Sequence, residues 1–173
     1  MTSETEAKAL KMLRSVALTR DMEIEHLHKL ASLAKEVEFL AGEIIYCRGD
    51  MGKAVYLIEA GQVVIETDIP GQGPVTLNIL GPGQFFGWSS LFPPERKMAS
   101  TRALEPVRAI AINASQLRTA WQMDHFLEYA IVRRAGRDMV DRIKATRQQL
   151  VDMLTLPMAN NESMKSEEYH PTL

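Results

Sequence analysis

Leu80-Gly81-Pro82-Gly83-Gln84-Phe85-Phe86-Gly87-Trp88-Ser89-Ser90-Leu91 is the stretch on which the reading of this chain turns. Leu80 ends an aliphatic run, and Gly81-Pro82-Gly83 has turn chemistry that stops it. Gly87 follows two aromatic residues and precedes a short helical turn, Trp88–Leu91. A glycine there allows positive φ or a close backbone approach. The free backbone N–H groups at the start of such a turn can hold an anion.

Working outward, Val37 to Ile112 reads as short strands: Val37–Leu40, Glu43–Cys47, Ala54–Glu59, Gln62–Thr67, Val75–Leu80, Ala99–Leu104 and Val107–Ile112. Ala41-Gly42, Arg48-Gly49-Asp50, Ala60-Gly61 and Pro70-Gly71-Gln72-Gly73 separate them. Many short strands at regular spacing predict an antiparallel sandwich or jelly-roll barrel. Helical period flanks them on both sides. Ser3 and Glu6 have capping-box spacing, and Leu10, Leu13 and Ala17 share one face of the helix that follows. A second helix is expected from about Arg20 to Ala34, capped by Thr19, with Ile24, Leu27, Leu30 and Ala34 inward. Asn113–Met123 reads as a short helix with Leu117 and Trp121 on one face, and Asp124 to about Leu154 as one long helix.

The expected fold is therefore α+β: an antiparallel β jelly-roll barrel flanked by N-terminal helices and a long C-terminal helix. Its parts are helices over 1–35, the barrel with its short helix over 36–123, the long helix over 124–156 and a polar, disordered tail over 157–173. In the long helix Met139, Thr146 and Met153 are spaced by sevens, as are Ile143 and Leu150. This is a short a/d seam suited to a second copy, with packing back onto the barrel as the alternative.

The chain has 173 residues, 46% of them hydrophobic, which suits one domain with an ordinary core. A net charge of -2 argues against a dedicated nucleic-acid-binding module. The single cysteine, Cys47, suits a reducing cytoplasm and reads as an ordinary strand residue rather than a haem ligand. Met1 to Ala9 is unlike a secretory signal, and no apolar run predicts membrane insertion. His26 and His28 lie on different helix faces, so no metal site is expected of them, and His125 and His170 have no obvious partner. Arg133, Arg134, Arg137, Arg142 and Arg147 alternate with Glu128, Asp138 and Asp141, as on a solvated helix face. No nucleophile–base arrangement predicts an enzyme.

The order of elements resembles the cyclic-nucleotide-binding domain family. Gly42-Glu43-Ile44-Ile45 with Arg48-Gly49-Asp50, Val55-Tyr56-Leu57-Ile58 with Gly61-Gln62-Val63, the stretch from Leu80 to Gly87, and then Ala99, Ser100 and Ala103 carry the resemblance over roughly 65 residues. It implies a ligand site at Phe86, Gly87, Trp88, Ser89, Ser90, Leu91, Arg96, Lys97, Met98, Ala99 and Ser100, with cyclic AMP or cyclic GMP as the possible ligand. Two departures stand out. Trp88 occupies the place of a glutamate that accepts a hydrogen bond from the ribose, and an indole only donates. Lys97, nine residues further on, stands for a phosphate-pairing arginine and lacks the bidentate fork. A lost buried hydrogen-bond partner costs about 1–3 kcal/mol. Trp88-Ser89-Ser90 is similar to a variant found in stand-alone bacterial members.

Three readings stay open: a cyclic nucleotide held by the turn amides, Ser89 or Ser90, and Lys97 or Arg96, with Trp88 lining the pocket; another small anion or an apolar ligand; or a pocket filled by Trp88. About 20 residues follow Leu154, too few for a helix-turn-helix domain, so direct DNA binding is not expected. The expected output runs through the long helix to a homodimer over 139–154 or to an unknown protein partner. A ligand-free interaction scaffold is the alternative function.

Overall fold

The computed structural model describes residues 2–16, 19–92 and 96–155. Two helices, α1 (Thr2–Ser15) and α2 (Ile24–Ser32), precede eight strands. These are β1 (Ala34–Phe39), β2 (Ile44–Tyr46), β3 (Ala54–Ala60), β4 (Val63–Ile69), β5 (Gly73–Leu80), β6 (Phe85–Phe86), β7 (Ser100–Ala103) and β8 (Val107–Asn113). A 3-10 turn, Trp88–Leu91, follows β6, and α3 (Ala114–Met123) and α4 (His125–Thr155) follow β8. The strands form two four-stranded antiparallel sheets, ordered β1-β8-β3-β6 and β2-β7-β4-β5. This is the jelly-roll barrel with a long C-terminal helix expected from the pattern.

The central strands β3 and β8 are apolar on both faces because each face meets a different layer. Ile58, Val107 and Ala109 join Phe86, Val63, Leu80 and Ala103 in the barrel core. Val55 and Ile112 point the other way, with Phe85, towards Leu30 of α2, Leu117 of α3 and Ile131 of α4. Such doubly covered strands read as continuous apolar runs rather than as alternation. Phe85 and Phe86 divide the two layers between them, since neighbours in a strand face opposite ways.

The helices after the barrel have clear start signals. Asn113 Oδ1 accepts from the Ser115 and Gln116 amides, both at 3.0 Å. Asp124 Oδ1 accepts from the Phe126 and Leu127 amides at 3.1 and 3.0 Å. Leu127, Ile131 and Ala135 bury the first half of α4. Contacts divide the chain into one compact unit over 1–138 and a second from 139 onward. In the second unit α4 continues to Thr155 with Val140, Ile143, Leu150, Met153 and Leu154 exposed.

Several boundaries differ from expectation. The helix predicted from Arg20 to Ala34 spans only Ile24–Ser32 and begins after Glu23, whose side chain makes no cap bond. Thr19 does not cap it: its buried hydroxyl donates to the Leu13 carbonyl and so closes the end of α1. Ile24 is exposed, and Ala34 pairs with Ile112 as the first residue of β1. Ser3 lies within α1 rather than at its cap; its side chain, Ala17 and the tail from residue 156 lie outside the described residues. Gly73, read as part of a turn, pairs with Ile69, and Pro74 beside it pairs with Asp68 in the β4–β5 hairpin. The two-residue β6 was not anticipated; it exists because Phe85 and Phe86 pair with Leu57 and Tyr56.

Candidate functional site

Gly87 closes β6 in the left-handed region, at φ 88°, and sends the chain into the 3-10 turn. A Cβ there would lie 2.7 Å from the Ala54 carbonyl oxygen, so only glycine lets β3 come this close. Gly52 has the same task from the other side, where a Cβ would meet Ser90 Oγ at 2.2 Å. The turn is thereby pressed onto the start of β3. Ser90 Oγ donates to the Ala54 carbonyl at 2.9 Å, and Arg118 of α3 donates to the Ser90 carbonyl at 2.6 Å.

Lys97 enters from the segment before β7. Its backbone is locked to the β2–β3 loop: Gly49 N donates to the Lys97 carbonyl at 2.7 Å, and Lys97 N donates to the Asp50 carbonyl at 2.9 Å. Its side chain is buried, with 4% exposed. The ammonium donates to the Gly87 carbonyl at 3.1 Å and to Ser90 Oγ at 2.7 Å, and it lies 4.4 Å above the Tyr46 ring. Every one of these partners is neutral. Burial pulls the Lys97 pKa down to about 8.

A cleft of ≈ 300 Å³ opens beside this amine. Ile45, Tyr46, Asp50, Met51, Lys53, Ala54 and Tyr56 line it with Lys97. Tyr56 stacks on Phe86 at 4.8 Å and meets Phe39 edge-on at 5.9 Å. Burial raises the Tyr56 pKa, which keeps its hydroxyl protonated. The cleft thus offers a buried cation at one end and an aromatic wall beside it. That combination suits a small ligand with an anionic group and a flat apolar part.

Of the residues expected at the ligand site, Lys97 alone lines this cleft. Phe86 is buried under the two tyrosines, and Gly87 and Ser90 reach the site through Lys97. Leu91 is buried, and Ser89 is half-buried. Arg96 is exposed and donates to the Gly49 carbonyl at 2.8 Å. Met98 is exposed, Ala99 is half-buried, and Ser100 Oγ accepts from the Arg48 amide at 3.0 Å. Trp88 neither lines nor fills the cleft. Its indole turns into the helix layer, stacks on Phe85 at 5.3 Å and donates from Nε1 to Asp138 Oδ2 of α4 at 2.8 Å. Tyr46, Tyr56 and Asp50 were missed as site residues; the aromatic positions within otherwise aliphatic β2 and β3 were the available signal.

His26 is half-buried and lies 3.4 Å from Asp124 Oδ2, while His125 lies 3.5 Å from Glu128. Cys47 is exposed just after β2. Among the described residues no group of His, Cys, Asp and Glu is placed to hold a metal ion, and no helix is long and apolar enough to cross a membrane.

Barrel, left-handed glycine and buried cation together define a jelly roll with a cation-bearing cleft. The family model for the cyclic nucleotide-binding domain matches residues 36–124, and the chain belongs to that family. It is 29% identical over 128 residues to a CRP-like cAMP-activated global transcriptional regulator of Mycobacterium tuberculosis, covering 72% of this chain and 55% of the relative. It is 39% identical over 72 residues to the cyclic AMP receptor protein of Thermus thermophilus, covering 41% of this chain and 33% of that one. The chain thus spans about half or less of these relatives' length. Its fold matches that of a cyclic nucleotide-binding domain from Methylobacillus flagellatus with a TM-score of 0.74 and 20% identity, covering 87% of this chain and 84% of that one.

Proposed function

We propose that this domain senses a small phosphate-bearing ligand, a cyclic nucleotide in the first place, in the cleft beside Lys97, and passes its occupancy on through α4. The carrying observation is the Lys97 ammonium, held out of water among neutral partners only. An uncompensated buried cation is costly, and an anionic ligand offsets that cost. The kinship with cAMP-activated regulators supports the choice of ligand. The Trp88–Asp138 bond supports the route to α4. A reducing cytoplasm suits the exposed free thiol of Cys47. The output passes to a second copy through residues 139–154 or to another protein.

The test is calorimetric titration of nucleotide-stripped protein with cyclic AMP, cyclic GMP and a cyclic dinucleotide. Micromolar binding is expected for at least one, weakened by about tenfold or more in Lys97→Ala through loss of a charged hydrogen bond. A second reading is a ligand-free scaffold. It is favoured by the way Gly87 and Ser90 already take up two donors of the Lys97 ammonium. Equal affinity of Lys97→Ala and wild type for every nucleotide would select it.

A further inference from the structure

β7 is an inner strand, between β2 and β4, and its residues alternate. Ser100 and Arg102 are half-buried, and Arg102 spends its guanidinium on Glu66, at 3.1 and 2.8 Å. Thr101 and Ala103 are fully buried, and Ala103 belongs to the barrel core. Residues two apart in a strand share a face, so Thr101 points into the barrel with Ala103. Its cross-strand partners are Tyr46 on β2 and Ile65 on β4, and both pack against the core. Among the described residues, Thr101 Oγ1 is the buried side-chain atom that finds no hydrogen-bond partner. A hydroxyl taken from water without a partner opposes folding, and valine would fill the same space without that cost. Buried polar groups are nearly always paired, so an unpaired one points to a partner that arrives from outside.

The cleft is one step away. β2 slips its register against β7 between Ile44 and Tyr46. Such a bulge sets two residues against one, and here Ile45 and Tyr46 both line the cleft. Directly opposed residues place their Cβ atoms about 4.5–5.5 Å apart on one face. A ligand seated against Tyr46 therefore comes within reach of the Thr101 hydroxyl. The same Tyr46 ring lies 4.4 Å from the Lys97 ammonium. Cation and orphan hydroxyl thus adjoin one aromatic ring, and the hydroxyl can donate as well as accept.

We propose that Thr101 is a specificity-determining residue of the cleft: its hydroxyl pairs with a neutral hydrogen-bonding group of the ligand, a sugar hydroxyl or a base edge, while Lys97 pairs with the anionic group. This rests on the ligand reading above and narrows it. The ligand carries an anionic and a neutral polar group on one small frame, a demand that inorganic phosphate does not meet.

Thr101→Val exchanges the hydroxyl for a methyl of nearly the same size, so it separates the two roles by sign. Without ligand the variant should be more stable than wild type, read as a higher denaturation midpoint. Its affinity for the preferred nucleotide among cyclic AMP, cyclic GMP and a cyclic dinucleotide should fall at least about fivefold, because the ligand's polar group is then buried unpaired. Thr101→Ser keeps the oxygen and should restore that affinity. Inorganic phosphate should bind Thr101→Val and wild type alike. Two analogues of the preferred nucleotide locate the paired group: the 2′-deoxy form, and the form with hydrogen in place of the polar group at purine position 6. The analogue that lacks the paired group should bind wild type more weakly and lose nothing further in Thr101→Val.

Equal nucleotide affinity of Thr101→Val and wild type, or no rescue by Thr101→Ser, overturns the assignment and leaves the ligand reading standing. A Thr101→Val that is less stable without ligand also overturns it, since the hydroxyl is then paired inside the folded protein. Further loss with both analogues overturns it as well, because the hydroxyl then reads neither group. Failure of wild type to bind any of the three nucleotides overturns the ligand reading and this assignment with it.

Discussion

An amine bonded to a carbonyl, a hydroxyl and the face of a tyrosine is a charge poised to leave. The Lys97 pKa near 8 lies well below the ordinary 10.5 because burial disfavours the charged form. From pH 8 to 10.5 the unfolded chain binds more protons at this site than the folded one, so this residue's contribution to stability rises with pH across that window. A Lys97→Met variant should be more stable than wild type at pH 7, with the gap narrowing as urea midpoints are followed towards pH 10. Ligand binding has the opposite trend. An anion prefers the charged amine, so affinity should hold below pH 8 and fall above it. Titrations near pH 8 in buffers of different ionisation enthalpy should show proton uptake on binding; no uptake would mean that the ligand ignores Lys97. Gly87 supplies a second test at this scale. Gly87→Ala would place a Cβ against the Ala54 carbonyl at φ 88°. The backbone strain alone costs about 1–3 kcal/mol, readable as a shift in denaturation midpoint.

At the scale of elements, what was legible followed the hydrophobic period. β3, β4 and β8 announced themselves as aliphatic runs because two layers cover β3 and β8. α3 and α4 followed from the return of helical period after Asn113, with Leu117 and Trp121 on one face of α3. The misreadings share a cause: local signals were outbid by tertiary partners. Thr19 has the chemistry of a cap, but the Leu13 carbonyl was nearer. Ala34 fits a helix, but pairing with β8 claimed it. Lys97 was marked as a site residue by the family resemblance, nine residues beyond Trp88, and Gly87 by the short turn it opens. The direction of Trp88 was not legible, since it depends on the left-handed Gly87 and on an acid fifty residues away in the chain. Tyr46 and Tyr56 became a wall only once β2 and β3 were folded around one cleft.

At the scale of the whole molecule, exposed apolar residues continue along α4 where the compact unit ends. Ile143 and Leu150 are one heptad apart and both exposed, with Met153 and Leu154 beyond them. Such a seam is worth little in water unless a second helix covers it. Wild type should therefore sediment as a dimer at moderate concentration, and Ile143→Asp with Leu150→Asp should yield monomers. A wild type that is already monomeric would remove the seam from the account.

The placement of Trp88 has an optical consequence. The chain has two tryptophans, and both indoles are buried. Replacing Trp121 with Phe leaves a single emitter, whose ring stacks on Phe85 and whose N–H meets a carboxylate. Indole emission shifts in colour and yield when such a neighbour departs. The protein therefore carries an intrinsic lamp at the junction between barrel and helix, and its light reports the state of that junction without any attached dye.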